Sequence, residues 1–163
     1  MARLIWLIVA AAAVGVDQLT KLLAVKYLKP IDTQPLIQDV LHLTYLENRG
    51  AAFGMLADHR WIFMVTSSLA VVAILVFMMV WYKKYYHPLL YTGLSLIVGG
   101  GIGNMIDRIA NGYVVDFIDF RLINFAIFNG ADSFVCVGAA LVVIYVFLSE
   151  KKEKGSGASL PKA

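Results

Sequence analysis

Long apolar runs separated by short polar or mixed connections give this chain the hydropathy pattern of a bundle of membrane helices. A helix rising about 1.5 Å per residue needs about 20 apolar residues to cross the hydrocarbon layer. Trp61 to Tyr82 carries no formal charge, and Pro88 runs to Ile106 before meeting Asp107 and Arg108. Ser133 to Ser149 is a shorter run of the same kind. Leu4 to about Val25 completes the set, and it carries Asp17 and Lys21 inside or beside the membrane. Four spans follow, at about 4–25, 61–82, 88–108 and 133–149, in one domain covering residues 1–150. The polar remainder, 151–163 with GSGAS inside it, is expected to be a disordered tail.

The two long connections have patterns of their own. In LHLTYLENRGAAFG, alternation around Leu41, Leu43 and Tyr45 predicts a short strand, and the glycines and alanines after it a tight turn. VVDFIDFRLINFAIF, Val114 to Phe128, is too apolar for a solvated loop and too charged for a span, so it is expected in the membrane interface. The fold class is therefore an all-α membrane protein with four transmembrane helices, a small β-cradle on the extracytoplasmic face and an interfacial loop or helix. Lys83 and Lys84 in the shortest connection, with Lys151, Lys152 and Lys154 after the last span, place both termini in the cytoplasm and the long connections outside.

Composition agrees with a lipid environment: of 163 residues, 60% are hydrophobic and 15% charged. The net charge of +3 does not indicate nucleic acid, because the basic residues flank apolar runs instead of forming a basic face. One cysteine, Cys136, forms no internal disulfide, and it makes no metal-ligand pattern with His42, His59 and His87. No metal or other cofactor is expected. Arg3 followed by an alanine-rich run also has the form of a secretory signal peptide, but cleavage near residue 13 would strand DQLTK as a polar start.

Ionisable and amide groups beside apolar runs are costly in lipid, which makes each a candidate for function. Asp17 and Lys21 are spaced to face each other on one helix, and a structural ion pair is their simplest role. Asn104 and Arg108 repeat that spacing after the glycines of GGGIG. Asp116 and Asp132 bracket a loop that closes easily. If their carboxyl groups meet, repulsion and desolvation leave one shared proton, and the pair can activate water and polarise a carbonyl. Asp132 is equally placed to cap the last helix, and spacing does not rank Asp119 against Asp116. In ENRGAAFG, Asn48, Gly50 and Phe53 suit either substrate contact or a tight turn.

Taken in order, DQLTK, ENRGAAFG, GNMIDR, VVDF and FNGADS resemble the lipoprotein signal peptidases, the type II signal peptidases of bacteria, over about residues 4 to 149. The resemblance implies an aspartyl endopeptidase of the bacterial inner membrane that cuts prolipoproteins just before a diacylglyceryl-modified cysteine. It implies Asp116 and Asp132 as the catalytic pair, with Asp119 structural. Asn104, Arg108 and Asn129 become polar supports around the pair, Asn48 and Gly50 part of a substrate-binding loop, and Asp17 with Lys21 a stabilising pair. The implied partners are lipid-modified prolipoproteins and membrane lipids, with no nucleic acid and a monomeric state. Gly130 departs from the family pattern, where a bulkier apolar residue is usual, and a looser approach to Asp132 is expected. The main rival is a small transporter or proton channel built on Asp17, Lys21 and Arg108.

Overall fold

The computed structural model describes residues 2–50 and 60–156. Helix α1 spans Ala2–Tyr27, strands β1 and β2 span Thr33–Ile37 and Leu41–Asn48, and helix α2 spans Arg60–Val80. A short α3, Tyr82–Tyr85, leads into α4, Pro88–Ala110; strand β3, Val114–Asp119, a 3-10 turn at Arg121–Ile123 and α5, Gly130–Ser156, complete the chain.

Among the described residues, three helices are long and apolar enough to cross a membrane: Leu4–Tyr27, Pro88–Ala110 and Gly130–Lys151. Helix α2, Arg60–Val80, covers the expected span at 61–82 except its last two residues, because the helix stops at Val80 and Trp81 leads into α3. Leu19 and Leu22 of α1 and Phe147 of α5 are among many large apolar side chains left exposed, as lipid-facing positions are. At the other end α5 continues through residue 156, past the expected start of the tail. Lysine and glutamate are good helix formers, so the helix has no local reason to stop at Ser149.

Helix α4 is the hub, packed against α1, α2 and α5. Pro88 opens it at a position needing no amide donor, and the His87 ring accepts from Leu89 N at 3.2 Å. Gly93 of α4 meets Gly138 of α5 so closely that a Cβ on Gly93 would lie 2.7 Å from the Gly138 carbonyl oxygen. Small residues let backbones approach in this way and gain dispersion contacts that lipid does not supply. Trp6, Met78, Leu90, Tyr91 and Leu94 form a buried cluster near the α2–α4 connection, where the Tyr91 hydroxyl donates to the Met78 carbonyl at 3.2 Å.

The sheet is antiparallel in the order β1-β2-β3. The expected strand at Leu41 to Tyr45 is the centre of it, as β2. The expected interfacial stretch 114–128 is not a loop or helix throughout: its first part is β3, pairing Asn48 with Val114 and His42 with Asp119. β3 places Val115 and Phe117 against Ala24, Leu28, Leu43 and Tyr45, on the face opposite Asp116. The sheet is thus fastened to the end of α1, with Asp116 turned toward α4 and α5.

Candidate active site

Asp17, Gln18 and Lys21 of α1 face Gly103, Asn104 and Asp107 of α4. Gly103 makes the approach possible, since a Cβ there would collide with the Asp17 carboxylate. Lys21 Nζ lies 2.9 Å from Asp17 Oδ2 and 3.1 Å from Asp107 Oδ2, and all three groups are buried. Gln18 Nε2 donates to Asp107 Oδ1 at 3.0 Å and to Asp17 Oδ2 at 3.2 Å. One ammonium facing two carboxylates leaves negative charge to be offset, and two backbone amides do this. Ala131 N donates to Asp17 Oδ1 at 2.8 Å, and Val115 N donates to Asp107 Oδ2 at 3.1 Å. Those amides immediately precede Asp132 and Asp116, so the ion cluster fixes the backbone on which both aspartates stand.

Asn129 and Asp132 form a reciprocal cap at the start of α5. Asp132 N donates to Asn129 Oδ1 at 3.0 Å, and Asn129 N to Asp132 Oδ2 at 3.3 Å, with the geometry of a capping box. The same asparagine reaches the other aspartate: its Nδ2 donates to Asp116 Oδ1 at 2.6 Å and to Asn104 Oδ1 at 3.1 Å. Asn104 Nδ2 donates to Asp132 Oδ1 at 2.7 Å, and Asn48 Nδ2 to Asp116 Oδ2 at 2.8 Å. Each carboxyl group therefore accepts two hydrogen bonds, and Asn129 serves both. Burial lifts the Asp116 carboxyl from 3.8 to about 6; the bonds from Asn48 and Asn129 pull it down, while the charge of Asp132 pushes it up.

Both carboxyls line one cavity of about 530 Å³. Asn48, Gly50, Asn104 and Arg108 supply further polar groups, and Val114, Phe125, Ile127, Phe128 and Val137 much of its apolar wall. Such a volume is in the range of ligand-binding clefts. Arg108 carries positive charge toward both aspartates and donates from Nη1 to the Asn104 carbonyl at 3.2 Å. Gly50 N donates to Asn48 Oδ1 at 2.9 Å, which turns the Asn48 amide toward Asp116. Phe53 lies outside the described residues.

The structure thus brings Asp116, Asp132, Asn48, Gly50, Asn104, Arg108 and Asn129 into one site and puts Asp17 and Lys21 directly behind it. Asp119 is elsewhere, on the other face of β3, accepting from Thr44 Oγ1 at 2.8 Å and Arg121 Nε at 2.9 Å. Burial raises its carboxyl, but these two bonds outweigh that and hold it below the usual aspartate value. Gly130 is not tight: a Cβ there would be 3.5 Å from Thr20 Oγ1, an ordinary contact. Gln18 and Asp107 were not picked out by sequence reasoning, although both fall inside quoted motifs. Gln18 stands three residues from Lys21 and Asp107 three from Asn104, spacings that mark the helix faces that meet. Ser133 and Cys136 also line the cavity, four residues on from Asn129 and Asp132 respectively.

The profile of signal peptidase (SPase) II matches residues 9–148. The chain belongs to the signal peptidase II family. A lipoprotein signal peptidase of Brevibacillus brevis is 43% identical over 147 residues, 90% of this chain and 97% of the relative. One of Caldanaerobacter subterraneus subsp. tengcongensis is 47% identical over 136 residues, 83% of this chain and 91% of the relative. A bacterial membrane enzyme solved by the in meso method at 2.3 Å resolution superimposes with a TM-score of 0.79 at 30% identity, covering 97% of this chain and 93% of that one. The matched interval encloses every cavity-lining residue from Asn48 to Val137. As a signal peptidase II, the chain is a membrane-embedded peptidase, and the transporter alternative is set aside.

Proposed function

We propose that this chain is an aspartyl endopeptidase that removes signal peptides from diacylglyceryl-modified bacterial prolipoproteins, cutting on the N-terminal side of the lipid-modified cysteine. The observation that carries the reading is that Asp116 and Asp132 line one largely apolar cavity and are joined through Asn129. Paired carboxyls in such a site hold one proton between them, and their titration belongs to the pair.

Hydrolysis follows from that shared proton. The ionised carboxyl takes a proton from water as the oxygen attacks the scissile carbonyl carbon; the protonated carboxyl gives its proton to the carbonyl oxygen. The resulting diol collapses as the C–N bond breaks: the carboxyl now protonated gives its proton to the leaving amine nitrogen, and the ionised carboxyl takes a proton from a diol hydroxyl, which leaves one proton on the pair. Asn48 and Arg108 face the cavity where the substrate backbone would lie, and Asn104 and Asn129 hold the two carboxyls in place. A lipid anchor delivers the scissile bond to a fixed depth, so positioning supplies much of the rate enhancement without a deep soluble cleft.

In this reading α2 completes a four-span bundle in the cytoplasmic membrane. Lys83, Lys84 and Lys151 face the cytoplasm, and the sheet and cavity lie on the far side. Residues 1–150 act as one domain, a monomer suffices, and Asp17 with Lys21 supports the site without touching substrate.

The test is cleavage of a diacylglyceryl-modified prolipoprotein by the purified protein, compared with Asp116→Asn and Asp132→Asn, each checked for an unchanged melting temperature or a higher one. Both variants are expected to lose at least about a thousandfold in kcat, and an unlipidated precursor stays uncut. Cleavage that survives either substitution overturns the aspartyl mechanism.

A further inference from the structure

A second groove lies near the α2–α3 end of the bundle, lined by Phe77 of α2, Trp81 at the α2–α3 junction, Tyr85 of α3, Leu90 of α4, and Tyr145 and Val146 of α5. It encloses about 440 Å³ and shares no lining residue with the cavity that holds Asp116 and Asp132. We propose that this groove binds a phospholipid with an anionic headgroup, one acyl chain lying in the groove and the phosphate meeting Lys83 and Lys84.

Its wall is aromatic and ordered. The Phe77 ring stacks on Tyr85 with centroids 6.0 Å apart and contacts Trp81 at 5.7 Å, while Tyr145 packs on the His87 ring at 5.0 Å. Trp and Tyr at a helix end mark the depth of the lipid headgroups, so acyl carbons are the solvent of the groove. The rim is cationic: Lys84 Nζ sits 4.9 Å over the Tyr85 ring that lines the groove, and Lys83 precedes it on α3, both exposed. No Asp or Glu stands between Trp61 and Ile106; on α5, Glu150 lies one turn beyond Val146 and is followed directly by Lys151. An apolar slot under two ammonium groups complements an anionic lipid and not a zwitterionic one.

Two other occupants fit less well. A helix about 10 Å across would fill the groove within roughly one turn, so a signal-peptide helix gains little there, and its basic leading end would be repelled by the lysines. A second copy of the chain would bring the same two lysines to the contact.

The experiment is native mass spectrometry of the full-length protein, stripped of lipid in detergent and titrated separately with phosphatidylglycerol and phosphatidylcholine of identical chains. One phosphatidylglycerol is expected to be retained in preference to phosphatidylcholine. In Lys83→Gln/Lys84→Gln that preference should fall about thirty-fold, roughly five-fold for each lysine. Val146→Trp, which fills the groove without altering charge, should reduce retention of phosphatidylglycerol while cleavage activity stays intact. Equal retention of the two lipids by the unmodified protein, or a preference that survives the lysine changes, overturns the proposal. So does displacement by inorganic phosphate alone, which would reduce the site to a headgroup contact, or displacement by a lipidated precursor, which would make the groove a substrate surface.

Discussion

Lys21 Nζ donates to Asn104 Oδ1 at 2.8 Å, and this contact decides which end of the Asn104 amide faces Asp132. An ammonium has donors only, so the amide oxygen must turn toward it and the amide nitrogen toward the carboxyl. Replacing Lys21 with Met removes that orientation and leaves Asp17 and Asp107 buried without their cation. A loss of about 3 to 5 kcal/mol is expected, seen as a much lower melting temperature in detergent. Unchanged melting and unchanged cleavage would show that the cluster is not a support of the site.

Asp116 binds its proton more tightly in the folded chain than an unperturbed aspartate, at about 6 against 3.8. The folded state therefore holds more protons between those values, and stability falls as pH rises through them, by about 3 kcal/mol in all. Asp116→Asn should flatten that fall and melt higher than the unmodified protein at pH 7.5, with the difference shrinking toward pH 4. A pH-independent difference would mean that burial does not govern the Asp116 proton.

Under the proposed mechanism the same proton sets the activity profile. Above about pH 6 the pair begins to lose its shared proton, so kcat/KM for a lipidated substrate should fall on the alkaline side with unit slope in log units. Stopped assays across pH 5 to 9 would measure it, and a flat profile to pH 9 contradicts a one-proton pair.

Asp119 gives the contrast within one strand. Its bonds to Thr44 and Arg121 are structural, so Asp119→Asn is expected to lower stability by about 1 to 2 kcal/mol and leave kcat within about threefold of the unmodified value. A loss matching that of Asp116→Asn would exchange the two assignments.

Two glycines separate crowding from room. Gly103→Ala drives a methyl group into the Asp17 carboxylate, for an expected loss of about 2 to 4 kcal/mol. Gly130→Ala meets only ordinary contacts at the start of α5, so it should gain about 0.5 to 1 kcal/mol and keep full cleavage. Thermal unfolding of the pair compares them directly; a destabilised Gly130→Ala would show that the residue is needed without a side chain.

Apolar run length was enough to locate α1, α4 and α5, because lipid makes continuous hydrophobicity a direct requirement. Alternation located β2 for the same local reason. β1 was hidden by Pro35, which an edge strand tolerates but which weakens the strand pattern. β3 was hidden because its partner is β2, far back in the chain, and its sequence is apolar on both faces. The candidate pair of aspartates was visible as a possibility, but spacing left Asp119 in contention, and only motif resemblance favoured Asp116. The role of Asp107 depends on how α1 and α4 are rotated against each other, which no local pattern records.

Asn129 draws together groups from three distant parts of the chain: Asp116 on β3, Asn104 on α4 and the first turn of α5. During insertion these segments enter the membrane one after another, and α5 comes last. Until it docks, Asp116 stands without its neighbour and the cavity has no complete wall. Under the proposed aspartyl mechanism, a molecule whose α5 has not docked lacks an assembled pair of acids, so cleavage begins only when the last helix is in place.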